Sequence, residues 1–333
     1  MSFPDSKLIV RSAADLVAAV PYLLGFRPGD GSIVVIASRD RRIVFAARTD
    51  LPAPGTPAGH LIDLAAHLVS VVRRQRPITD LMIIGYGTAD HVNPALRAAG
   101  EAFTAGGMTV REVLRVTGTR VVDLTCHNPA CCPPQGIPCD PTSSLVAVQA
   151  TAAGLVALPD RAAVAARFAP VTGAARDGMR HATTRAATRL EAANTDGTDL
   201  DEAGAQAVRG VLRQPDRRLT DDEIAWLTLL LTRTPVRDLA VDLTPPHDRH
   251  VTLWTDVTRR ADEPLVPAPA TLLAVTAWRC GDGVLAAMAA ERALQVDPAY
   301  RLADLLLQAL HAGLPPSAFA HATAGARTKP ATQ

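Results

Sequence analysis

The residues with the most chemistry in this chain lie in one stretch, CHNPACCPPQGIPCD, which runs from Cys126 to Asp140 and holds four of its five cysteines. Thiols at this density admit metal ligation, nucleophilic catalysis, a disulfide, or plain packing as small hydrophobes. A structural zinc site pairs two ligands two to four residues apart with a second such pair further on. Here the spacing is C-x4-C-C-x6-C, with His127 beside the first cysteine and no C-x2-C knuckle. Cys132 precedes Pro133, which favours an extended backbone, and side chains in an extended segment alternate sides. Cys131 and Cys132 are therefore expected to diverge, with at least one buried against the helix that follows. On this reading no metal and no cofactor is expected; a zinc ion, if bound, would be held by Cys126, His127, Cys132 and Cys139. A catalytic thiol needs a base, and His127 is the nearest in sequence. The preferred reading is architectural: Pro133, Pro134 and Gly136 fix a turn, and the cysteines pack it against a sheet.

A second candidate is the turn Gly85-Tyr86-Gly87-Thr88 with Asp90 and His91, which follows an apolar strand. Ligands of open α/β sheets bind beyond the carboxyl ends of strands, and a helix N-terminus there can hold phosphate. The pattern is not G-x-G-x-x-G, and no Walker lysine exists, so a plain strand-to-helix turn is the simpler account. The cysteine loop is expected to lie close to this turn. Arg176, Arg180, Arg185 and Arg189 resemble a basic stripe, but at 100° per residue the first two lie roughly opposite the last two. His247, Asp248, Arg249 and His250 read as a helix start after Pro245-Pro246.

These residues need elements to position them. Ser12 and Asp15 predict a helix cap, followed by Leu16, Val17, Val20, Leu23 and Leu24 at helical spacing, with Pro21 expected to kink or restart the helix. Residues 32–37 and 43–47 read as two strands joined by a charged turn. A helix stripe follows at Leu61, Leu64, Ala65, Leu68, Val71 and Val72. Residues 81–86 form an apolar run suited to a strand buried on both faces. A helix over 94–104, strands over 109–116 and 120–124, and a helix from about Thr142 complete the unit. Beyond Pro159 the pattern is helical. Glu191 to Gly204 reads as an acidic connection, Thr220 and Glu223 as a capping box, and the tail from about His321 as disordered.

The chain has 333 residues, 48% apolar and 20% charged, with a formal net charge of +1. That balance argues against nucleic acid or an anionic membrane as partner. Only Lys7 and Lys329 are lysines, leaving 34 − 2 = 32 arginines. The first residues lack a basic segment followed by an apolar core, so a cytoplasmic setting with reduced thiols is expected.

The stretches DLVAAVPYLLGFRPGDGSIVVI and CHNPACCPPQGIP, in this order, resemble the actinobacterial family catalogued as domain of unknown function 4192. The resemblance extends to the C-terminal segment AWRCGDGVLAAMAAERALQVDPAYRLADLLLQAL, which is also similar to one tetratricopeptide unit. In that unit Trp278 and Gly281-Asp282-Gly283 close a first helix, Ala286, Ala290 and Ala293 are small packing positions, and Asp297-Pro298 ends the second. Single units of this kind do not bury their own faces, so a hairpin packed on the preceding helices is expected. The whole reads as an α/β domain at 1–159, a mixed β-sheet with helices on its faces, followed by an all-α helical region at 160–320. The tetratricopeptide-like hairpin spans 268–312, and 321–333 forms the tail. The expected function is non-catalytic binding or adaptor work, with a protein partner on the helical region. The alternative is a thiol- or metal-dependent, hydrolase-like enzyme using the cysteine loop.

Overall fold

The computed structural model describes residues 10–75, 77–126, 128–140 and 144–317. His127, Thr142 and the tail from His321 lie outside the described residues. The described chain divides into two compact units, one comprising residues 10–163 with Ala312–Pro315, the other Val164–His311 with residues 316–317.

The first unit contains α1 (Ala13–Leu24), β1 (Ser32–Arg39), β2 (Arg42–Asp50), α2 (Ala58–Arg73), β3 (Asp80–Tyr86), α3 (Ala89–Ala105), β4 (Thr109–Thr117), β5 (Arg120–Asp123), β6 (Ile137–Pro138), α4 (Leu145–Ala152) and the first half of α5 (Arg161–Ala166). Its strands form one mixed sheet in the order β2-β1-β3-β4-β5-β6, parallel only between β3 and β4. β1 is buried along all but its last residue, as its uninterrupted apolar run requires. Ile33, Val35 and Ala37 pack with Leu81 and Ile83 against Leu68 and Val72 of α2 and Leu96 and Phe103 of α3. Residues that alternate with them, Val34, Ile36 and Ile84, are equally buried. Helices therefore cover the sheet because its central strands carry apolar side chains on both faces.

Local signals act as expected at the start of α1: the Ser12 hydroxyl accepts from the Asp15 N–H at 3.1 Å, and Asp15 accepts from the Arg11 N–H at 3.0 Å. Pro21 does not restart this helix; it lies buried within one continuous element, whose packing outweighs the missing N–H. At the end of α2, Gln75 donates to the Gly313 carbonyl at 2.7 Å and Arg74 to that of Ala312, which fixes Ala312–Pro315 to this unit.

The second unit consists of α6 (Ala174–Thr195), α7 (Leu200–Arg213), α8 (Asp221–Leu230), α9 (Thr234–Leu243), α10 (Asp248–Arg260), α11 (Pro267–Arg279), α12 (Gly283–Val296) and α13 (Arg301–His311). Its centre is α11, buried from Pro267 to Trp278 and packed against α9, α10, α12 and α13. Ala286, Ala290 and Ala293 are fully buried, so α12 lies close to its neighbours. The Thr220–Glu223 capping box forms with both reciprocal hydrogen bonds. The acidic stretch at 191–204 is not the long connection expected from composition. Only Asp196–Asp199 lies between α6 and α7, because Asp199 caps α7 through the N–H groups of Asp201 and Glu202. Acidic residues in a first helical turn meet the positive end of the helix dipole, which favours helix here. Three arginines of α6 are engaged singly: Arg176 with Glu263 at 3.6 Å, Arg185 with Asp222, and Arg189 4.0 Å from the ring centre of Trp226.

Candidate functional site

The path of the cysteine segment follows from local hydrogen bonding. Leu124 still donates to Val113 at 2.8 Å, after which Asp123 accepts from both the Thr125 N–H and its hydroxyl and ends the strand. The carbonyl of Asn128 then accepts from the N–H groups of Cys131 (3.2 Å) and Cys132 (2.8 Å), while its side chain accepts from Ala130 at 3.0 Å. A second turn closes from Gly136 N–H to Pro133 carbonyl at 2.8 Å. Gly136 has φ +78°, and a Cβ there would stand 2.8 Å from the Val121 carbonyl oxygen, so this position requires glycine. Arg120 clamps the turn by donating to the carbonyls of Gln135 and Gly136, each at 2.6 Å.

This backbone brings three thiols together. The sulfurs of Cys126, Cys131 and Cys132 lie within 4.8 Å of one another, with Cys126 and Cys131 at 3.4 Å. The expectation that Cys131 and Cys132 diverge is therefore corrected. The turn closed by Asn128 coils the chain before Pro133, so successive side chains are not set on opposite sides as in a strand. Neither of the pair is buried: Cys131 is exposed and Cys132 half-exposed. Hydrogen bonding from the Asn128 backbone, and then from Cys132 and Cys131, lowers the Cys126 thiol below its ordinary range. Cys132, held chiefly by its contact with Cys126, is pushed up to about 12.

Cys139 does not join them. Its N–H donates to the Thr119 carbonyl at 2.7 Å, at the β4–β5 turn, whereas Cys126 follows the far end of β5. Four residues of strand, about 13 Å, intervene. Cys139 is buried, its thiol facing the Ala14 carbonyl at 3.6 Å and raised by burial, then by Asp140 and Asp15. The four-ligand set with Cys132 and Cys139 in one sphere is thus not assembled.

The Gly85–His91 turn sits at the Cys139 end of the sheet, so Cys126, Cys131 and Cys132 are not its neighbours as expected. The β5–β6 hairpin carries the segment from one end to the other. The turn is also closed. A Cβ on Gly85 would stand 2.0 Å from Val92, and one on Gly87 3.3 Å from the Gly31 nitrogen. Gly87 donates to the Val116 carbonyl (2.9 Å) and its own carbonyl accepts from Thr117 (2.7 Å). His91 bonds the Pro52 carbonyl through Nε2 at 2.8 Å, and Asp90 is exposed on the first turn of α3. Within this turn Tyr86 is buried, its phenol raised by burial; a group that sequence reasoning missed is Glu112. The Glu112 carboxyl is raised by burial and then by Asp123, and its Oε2 is buried without a hydrogen-bond partner. Glu112 shares β4 with Arg111 and Arg115, so no signal in the sequence sets it apart.

One comparison with known proteins gives a match: the family model described as Domain of unknown function (DUF4192) covers residues 14–317. No curated protein and no solved structure matches the chain.

Proposed function

The chain belongs to the family described as Domain of unknown function (DUF4192), and on that premise we propose that it works by binding rather than by turnover. One observation carries this reading. Cys126 and Asp90, two of the groups that a reaction centre at the cysteine loop would have to bring together with His127, are divided between opposite ends of the sheet. Cys126 lies at one end, Asp90 and His91 at the other, with the Nε2 of His91 committed to a backbone carbonyl. General-base catalysis needs the base within hydrogen-bond reach of the nucleophile.

In this reading the helical unit, with the α11–α12 pair resembling a tetratricopeptide hairpin, engages a protein partner. Nucleic acid and membrane surfaces are set aside by the net charge of +1. Among the described residues no helix is long and apolar enough to cross a membrane. The five cysteines are free thiols, which suits a reducing cytoplasm. The test uses the full chain and its Leu305→Arg variant, since Leu305 is a half-exposed apolar side chain of α13. A partner captured and reconstituted from pure components should lose about tenfold in affinity with the variant. Turnover of ester, thioester or peptide substrates that disappears in Cys126→Ser would overturn the reading.

A further inference from the structure

Going beyond that reading, we propose that Cys126, Cys131 and Cys132 form a three-thiolate site for one zinc(II) ion, with its fourth position open to water or an incoming ligand. Zinc–sulfur bonds of about 2.3 Å in a tetrahedron place sulfurs about 3.8 Å apart. The observed spacing, 3.4 Å for Cys126–Cys131 and within 4.8 Å for every pair, needs adjustments of about 1 Å or less in side-chain position to meet that value. The donor set is pure sulfur, which selects a borderline or soft d10 cation over magnesium or calcium.

The scaffold is preorganised. Two consecutive turns, closed on the carbonyls of Asn128 and Pro133, hold the backbone from Asn128 to Gly136, and Arg120 pins the second to the sheet. The order of ordering costs matters: a loop already held by its own hydrogen bonds gives up little entropy on binding. All three sulfurs are at least partly accessible, so an ion has an entry path. Binding is written as Zn2+ plus three thiols giving a tris-thiolate complex of net charge −1 and three protons released to solvent. Because protons are released, affinity rises with pH. Cys139 takes no part, being set apart from the cluster beside Thr119.

The experiment uses tag-free, reduced full chain titrated with cobalt(II) as a spectroscopic stand-in, then with zinc. Expected are a thiolate-to-cobalt charge-transfer band, intense tetrahedral d–d bands, saturation at one ion per chain, and bleaching on zinc addition. Single changes Cys126→Ser, Cys131→Ser and Cys132→Ser should each cost at least about tenfold in cobalt affinity. Cys139→Ser and Cys280→Ser should cost nothing. A second measurement guards against a variant that misfolds: in the wild-type chain, zinc should protect three thiols from alkylation, and mass mapping should place them at Cys126, Cys131 and Cys132. Octahedral cobalt spectra without charge transfer, protection of other cysteines, or equal loss with Cys139→Ser would overturn the proposal.

Discussion

The two ends of the sheet in the first unit use similar materials: glycines with positive φ, a neighbouring helix, and side chains able to ionise. At the Gly85–His91 end, every one of those features is taken up by the protein itself. Val92 occupies the space beside Gly85, Gly31 abuts Gly87, and His91 holds Pro52. At the Cys126–Cys132 end, the glycine and the prolines also serve the backbone, but the three sulfurs face one another and solvent instead of apolar neighbours. Glycine beside a strand end is thus no indicator of a ligand when a side chain fills its missing Cβ. Sulfurs converging on one another at the surface are the better indicator.

The largest effect should come from closing the already closed end further. Gly85→Ala places a methyl 2.0 Å from Val92 in a fully buried setting and should cost about 3 kcal/mol in urea unfolding. A loss under about 1 kcal/mol would mean that α3 shifts freely and the end is not tightly packed.

Next, Gly136→Ala should cost about 2 kcal/mol, since it combines φ +78° with a 2.8 Å approach to the Val121 carbonyl. The same change should separate the sulfurs and lower cobalt affinity, whereas Gly85→Ala should lower stability without that selective loss. Equal metal binding by both variants would break the comparison between the two ends.

His91→Ala removes one hydrogen bond and should cost about 1 kcal/mol. Alkylation rates at Cys126, Cys131 and Cys132 should stay unchanged, measured by mass spectrometry over a time course. A slower Cys126 in this variant would join the two ends chemically and revive the enzyme reading.

The smallest effect has the opposite sign. Glu112 is raised above its ordinary value, so its folded form holds a proton that the unfolded form releases as pH rises through the carboxylate range. Charging therefore weakens the fold above that range. Glu112→Gln should raise stability by up to about 1 kcal/mol at neutral pH, with the gain vanishing in acid. Asp80 on the neighbouring strand behaves inversely: its bond to Arg111 lowers it, so its contribution is present at neutral pH and lost as pH falls through the folded value. Parallel unfolding curves against pH for Glu112→Gln and Asp80→Asn should diverge in opposite directions.

The sequence by itself determined much of what depends on neighbours within about four residues. Ser12 with Asp15 and Thr220 with Glu223 formed the caps their spacing prescribes, since the donor and acceptor belong to the same helical turn. The apolar runs of β1 and β3 stated their own burial on both faces. The convergence of Cys126, Cys131 and Cys132 was also within local reach, because Asn128-Pro129 is a turn signal that precedes the pair. It was masked by the stronger bias of Pro133 on Cys132. Composition misled at 191–204, where a cap and the helix dipole convert acidic residues into helix starts.

Only the tertiary structure decided which ends of the strands come together. The pairing of β5 with β4 and β6 places Cys139 beside Thr119 and leaves the other three cysteines a strand's length away. Nothing in the spacing of the cysteines encodes that register, because it is set by hydrogen bonds to a strand formed earlier in the chain. The closing of the Gly85 turn has the same origin: Val92 is local, but Gly31 and Pro52 reach it through the sheet and the loop after β2. Side chains and turns are chosen by short-range sterics, whereas a site is chosen by which distant backbones a common sheet makes adjacent.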